Sequence, residues 1–194
     1  VTISTLDAQT ALVVIDLQNG IVNSPQPPAD GASAPQTADV VSRSKALAAA
    51  FRAQGLPVVL VNVAGSPAGR NETPRRLPAD IPAEFFALVD GLAESEDDIL
   101  VTKRSLGAFA TTDLHDRLRE RGVTQLVFTG ISTSVGVESS ARHAYDLGYN
   151  VAFAVDAMTD RSAAAHENSV STVFPRLGES GTTEEILGLL ADRK

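Results

Sequence analysis

The chain has 194 residues, 43% of them hydrophobic and 21% charged, with a formal net charge of −8 and no cysteine. This composition is far from that of disordered chains and leads us to expect one domain over residues 1–194, built on one core. The acidity argues against nucleic acid or an acidic membrane as partner, since both need a basic face, and the missing cysteine excludes disulfides and thiolate chemistry.

Strand and helix signals then alternate along the chain. Ala11 to Asp16 is an apolar run too short for a helix and rich in β-branched residues, the pattern of a strand buried on both faces. Val58 to Val63 repeats it after the turn signal Gly55-Leu56-Pro57, and further runs are Ile99 to Thr102, Gln125 to Thr129 and Asn150 to Val155. Helical patterns lie between and after them, at Ala38 to Gln54, Thr112 to Arg121, Val137 to Leu147, Ala163 to Phe174 and Thr183 to Leu190. Gly178 to Thr182 admits a short last strand. Such alternation implies βαβ units. The expected fold is therefore α/β, a three-layer α/β/α sandwich around a mostly parallel, Rossmann-like sheet of five or six strands. Pro25 to Pro35 reads as an exposed loop. Ser66 to Pro82, with Arg70, Arg75 and Arg76, follows the second strand, where α/β proteins place substrate-covering loops. No apolar run approaches the roughly 20 residues of a membrane span, and no charged segment followed by an apolar one opens the chain, so a cytoplasmic location is expected.

Chemistry-bearing residues gather at strand ends. Asp16 follows Val13-Val14-Ile15, and Lys103 follows Ile99 to Thr102; the ends of parallel strands aim side chains into the crevice above a sheet. Each has an ordinary alternative, a helix-capping carboxylate and a surface lysine. With the glycine-containing turn after Thr129 they form a constellation.

The segments Asp16-Leu17-Gln18-Asn19, Lys103 with Gly107-Ala108-Phe109, and Gly130 through Ala144 resemble the three signature regions of the isochorismatase-like hydrolase superfamily. The likeness runs in order from about Thr10 to Thr159, with Asp156-Ala157 resembling an aspartate-containing turn after the fifth strand. It implies catalytic roles for Asp16 and Lys103, with Gly136 in the place of the nucleophilic cysteine, and substrate contacts from Gln18, Phe109 and Ser132. It further implies an oxyanion hole of backbone N–H groups at Ser132 and Gly136, and a cis peptide between Ile131 and Ser132. A small-molecule substrate, no cofactor and a homo-oligomeric state complete the expectation.

Glycine at the cysteine position has a counterpart in the isochorismatases proper, which hydrolyse a vinyl ether without a protein nucleophile. That chemistry needs a proton donor, for which Asp16 is suited, yet Lys103 favours the ionised carboxylate, so burial or a substrate carboxylate must oppose the lysine. Ser132-Thr133-Ser134 stands where the isochorismatases proper have bulkier groups, which leaves the substrate open. Arg70, Arg75 or Arg76 could bind a substrate carboxylate. A nearby serine could replace the thiol, but its hydroxyl is far less acidic. No metal is expected, because Val61 to Gly65 lacks the histidine that zinc-binding relatives carry there, and the three histidines, His115, His143 and His166, all fall in helical patterns. The competing reading is a catalytically degenerate member that binds a metabolite or serves as an assembly subunit.

Overall fold

The structure, a computed structural model, describes residues 2–24, 35–72 and 80–193. Among these residues six strands form one sheet: β1 (Thr10–Ile15), β2 (Val58–Val63), β3 (Ile99–Lys103), β4 (Gln125–Ile131), β5 (Asn150–Thr159) and β6 (Glu179–Gly181). Their order is β3-β2-β1-β4-β5-β6, and every neighbouring pair is parallel. The helices are α1 (Asn19–Val22), α2 (Thr37–Ala53), α3 (Leu114–Glu120), α4 (Glu138–Asp146), α5 (Ala163–Asn168) and α6 (Thr183–Ala191). The fold is thus the expected three-layer α/β/α arrangement, with a sheet that is wholly parallel and has six strands.

The central strand explains why its sequence is uninterruptedly apolar. Ala11, Val13 and Ile15 pack into one core with Leu114 and Leu118 of α3 and Ala141 and Ala144 of α4. Leu12 and Val14 pack into a second core on the opposite face, with Leu47 and Phe51 of α2 and Ile186 and Leu190 of α6. A strand that serves two cores has no solvent side on which a polar residue would be tolerated. β3, at the sheet margin, alternates instead, with Leu100 and Thr102 exposed.

Two elements depart from the sequence reading. β5 runs four residues beyond Val155, so Asp156 and Ala157 lie within the strand and not in a turn after it. The Asp156 carboxylate accepts hydrogen bonds from Thr183 N–H at 2.7 Å and Thr183 Oγ1 at 2.9 Å, tying β5 to the start of α6. The helix expected from Ala163 to Phe174 ends at Asn168, followed by a π-helical turn at Ser169–Val173 and a 3-10 turn at Phe174–Arg176. Val170, Thr172 and Val173 are β-branched, and Pro175 has no N–H to continue the ladder. The break seats the fully buried Phe174 ring 3.8 Å, centroid to centroid, from Phe153. Most of the expected loop at Pro25 to Pro35 lies outside the described residues, as do Arg75 and Arg76.

Two strands approach closely at Gly130 on β4, where the register with β5 shifts. Its φ is +119°, and a Cβ there would lie 2.1 Å from the Ile15 carbonyl oxygen of β1. Gly130→Ala therefore combines a backbone term of about 1–3 kcal/mol with overpacking of similar size. We expect a loss of roughly 3 kcal/mol or more in urea unfolding; a variant as stable as the parent would show that β1 and β4 do not approach this closely.

Candidate active site

The sheet order reverses between β1 and β4, and in open parallel sheets the crevice at such a point, beyond the carboxyl ends of the strands, is where ligands sit. Asp16 stands at its mouth. Its N–H still donates to the Val61 carbonyl at 2.8 Å, but its φ is +55°, a left-handed conformation that aspartate adopts more readily than most residues. Lys103 ends β3, two strands away. Its long side chain reaches past β2, and Nζ donates to Asp16 Oδ2 at 2.8 Å and to the Leu106 carbonyl at 2.8 Å.

Both partners are removed from water, Lys103 being 2% and Asp16 5% exposed. Two effects compete at the carboxyl. Burial disfavours the carboxylate, and the Lys103 ammonium favours it through charge and hydrogen bonding. Burial wins, pushing the Asp16 carboxyl from 3.8 up to about 6. Among the described residues Oδ1 of this carboxyl is buried without a hydrogen-bond partner.

The third wall is the turn after β4. The Ile131–Ser132 peptide is cis, and Thr133–Val137 forms a π-helical turn that runs directly into α4. Its shape is held from behind by side chains the sequence reading did not single out. Asp160 Oδ2 accepts from Ser134 N–H at 2.8 Å and from Ser134 Oγ at 2.7 Å. Thr133 Oγ1 and His166 Nδ1 are 2.8 Å apart in the interior, where burial lowers the imidazole's affinity for a proton. Ser140 Oγ donates to the Gly136 carbonyl at 2.6 Å and accepts from Ala108 N–H at 3.0 Å, joining this turn to the segment after Lys103. Ser134 therefore faces Asp160.

Asp16, Gln18, Lys103, Ser132 and Gly136 all line one cavity of about 480 Å³. Phe109 does not line it. Its ring is buried in the core 5.6 Å from His143 and 6.2 Å from Tyr149, so the expected substrate contact is corrected to a packing role. The aromatic wall is supplied by Phe85 instead, with apolar surface from Ile21, Leu106 and Val135. Arg70 is exposed and absent from the lining; Arg161 is the arginine that lines it. Neither Phe85 nor Arg161 stands in a motif, so only the tertiary fold brings them to the crevice. Asp160 and Arg161 sit just past the observed end of β5 at Thr159, and the strand's extra length beyond Val155 carries them there.

Comparison with known proteins agrees with this fold. The isochorismatase domain model matches residues 10–185. YecD of Escherichia coli O157:H7, an uncharacterised isochorismatase family protein, is 45% identical over 93% of this chain and 96% of its own length. The ureidoacrylate amidohydrolase RutB of Methylobacterium radiotolerans is 36% identical over 73% of this chain and 64% of its own. An isochorismatase family protein from Burkholderia thailandensis has a solved structure that superposes with a TM-score of 0.88 at 39% identity, covering 98% of this chain and 100% of that one.

Gly136 is closely enclosed. A Cβ built on it would lie 2.9 Å from Ile15 Cγ2, 3.2 Å from Asp16 Oδ2 and 3.5 Å from Lys103 Nζ. The backbone itself is drawn close to the ion pair at this residue. In an open helical turn alanine would gain about 1 kcal/mol over glycine. Here overpacking costs about 1–3 kcal/mol and opposes that gain. Gly136→Ala should therefore lower the melting temperature; a rise of several degrees would mean that the turn stands further from Ile15.

Proposed function

The chain belongs to the isochorismatase family, and from that premise we propose that it is a hydrolase of a small carboxylate-bearing substrate in which Asp16 acts as proton donor and water, not a side chain, supplies the nucleophile. The observation that carries this reading is the Asp16 carboxyl at about 6 despite an ammonium at 2.8 Å. A group poised there is protonated in an appreciable fraction of molecules near neutrality and loses its proton readily, as general acid catalysis requires. The thiol chemistry of cysteine-bearing relatives is closed to a chain without cysteine.

In vinyl-ether hydrolysis the Asp16 proton goes to the terminal carbon of the enol ether, and the C=C electrons form that C–H bond. The resulting oxocarbenium ion takes up water, whose surplus proton returns to the Asp16 carboxylate. The hemiketal then collapses to a ketone and an alcohol. Lys103 holds the carboxyl in place through Oδ2 and faces the cavity as positive charge. Arg161, which has no ion-pair partner among the described residues, suits a substrate carboxylate by a two-pronged contact. An amide such as ureidoacrylate, the substrate in RutB's name, would need water to attack a carbonyl directly with ionised Asp16 as base.

The pH profile separates the two chemistries. If protonated Asp16 is the active form, kcat/KM is level below about pH 6 and falls tenfold per unit above it. If ionised Asp16 is required, the profile rises to a plateau above the same point. We expect the falling limb with a vinyl-ether carboxylate such as isochorismate; the rising limb would overturn the acid role.

Asp16→Asn retains the shape, tolerates the left-handed backbone and still accepts a hydrogen bond from Lys103. Turnover should drop by about 10²–10⁴-fold. The same variant tests the cause of the shifted carboxyl. A folded-state pKa above 3.8 means that Asp16 supports folding fully below about pH 4 and loses that contribution as pH rises through about 6. The Asn variant should lack this slope in its melting temperature. Full activity in Asp16→Asn would place the chemistry elsewhere.

A further inference from the structure

Gln18 carries the resemblance as a substrate contact, yet its side-chain amide is fully engaged by the protein. Oε1 accepts from Val63 N–H at 2.7 Å, while Nε2 donates to the Val63 carbonyl at 3.2 Å and to the Phe85 carbonyl at 3.3 Å. A primary amide has two N–H donors, and both are used here. The residue is completely buried. It behaves as an extra rung at the end of β2, meeting both backbone groups of Val63, with one donor left for the turn that bears Phe85. Asn62 adds one bond to the same segment, its Nδ2 donating to the Phe86 carbonyl at 2.8 Å. Two main-chain bonds complete the seating, Asn19 N–H to the Ala87 carbonyl at 2.9 Å and Val89 N–H to the Leu17 carbonyl at 3.0 Å.

The object held is the Phe85 ring. It lies directly against Gly20 at the start of α1, where a Cβ would come within 2.3 Å of the ring atoms, and it lines the cavity that also holds Asp16 and Lys103. Glycine at position 20 thus leaves the ring room against the start of α1.

We propose that Gln18, Asn62 and Gly20 are positioning residues that seat Phe85 as the wall by which the cavity selects a flat, unsaturated substrate over a small or branched one. This rests on the reading of the cavity as the hydrolytic site. Aromatic surface of this kind contributes about 0.5–1.5 kcal/mol to a planar partner beyond simple burial. A non-planar ligand gains nothing comparable.

Benzoate and acetate serve as probes, sharing a carboxylate and differing in the flat ring. Their dissociation constants are measured by NMR titration on the parent and on the Gly20→Ala, Phe85→Leu and Gly20→Ala/Phe85→Leu variants. The parent should prefer benzoate by at least tenfold, and Gly20→Ala should reduce that preference to within about threefold. In the double variant the smaller side chain no longer meets the added methyl, so its loss should be well below the product of the single losses. Gln18→Leu should speed amide hydrogen exchange at residues 85–89 at least tenfold; if it fails to fold, Gly20→Ala carries the test alone. A parent without preference, or a Gly20→Ala variant with the parent's ratio, overturns the proposal. A changed ratio in a protein that hydrolyses no vinyl ether or amide would leave the wall standing and remove only the hydrolytic reading.

Discussion

The ion pair between Lys103 and Asp16 joins the marginal strand of the sheet to its central one, over the end of the strand between them. Taking both charges out of water costs several kcal/mol for each, and a single contact returns that only with good geometry and further hydrogen bonds. The compensation is incomplete. Lys103 gains the Leu106 carbonyl, but Asp16 Oδ1 is left without a partner among the described residues. The imbalance shows as a carboxyl that holds its proton more tightly than a free aspartate, and the rest of the crevice is arranged to tolerate it. Asp16 takes a left-handed backbone to bring its carboxyl there, and the turn after β4 comes so close that its nearest residue can carry no side chain without displacement.

A pair under such tension is useful only if its surroundings stay in place, and the polar contacts behind the cavity are distributed accordingly. Asp160, His166 and Ser140 hold the turn of Gly136 from three directions, through Ser134, Thr133 and the Gly136 carbonyl. Glu138, where α4 begins, accepts from Ser169 Oγ at 2.6 Å, so the π-helical turn at Ser169–Val173 braces the π-helical turn at Thr133–Val137. Of these residues only Gly136 lines the cavity, and the others bear on it through the backbone they hold.

How much of this was legible in the chain follows from the range of the interactions. β1, β2 and β4 were readable because burial on two faces leaves a largely apolar run rich in β-branched residues, a local signal. The end of β5 was not, since Asp156 looks like a turn residue until Thr183 and Arg43, distant in sequence, are seen to engage it. Asp16, Lys103 and Gly136 could be named because they sit in motifs at strand ends. Phe109 was misassigned on the same basis, being near Lys103 in sequence but turned into the core beside Tyr149. Phe85, Arg161 and Asp160 reach the crevice from segments whose local sequence says nothing about it. The bonds of Gln18 to Val63 and Phe85 were not legible either, because an amide's commitments are visible only once its neighbours are.

The position of Lys103 on β3 has a further consequence. Among the described residues β3 is bonded to a neighbour on one side only, and alternate residues along it face solvent. Marginal strands open more readily than the strands between them. The ion pair therefore spans the sheet's gradient of local stability, its carboxyl at the end of an interior strand and its ammonium on a marginal one. Peeling of β3 alone would carry the ammonium away while β1 and β4 remained folded, leaving Asp16 buried with no counter-charge. Under mild denaturant the site would then lose its electrostatics before the domain lost its core, a sequence that exchange rates of Val101 and Val13 amides, measured side by side, would reveal.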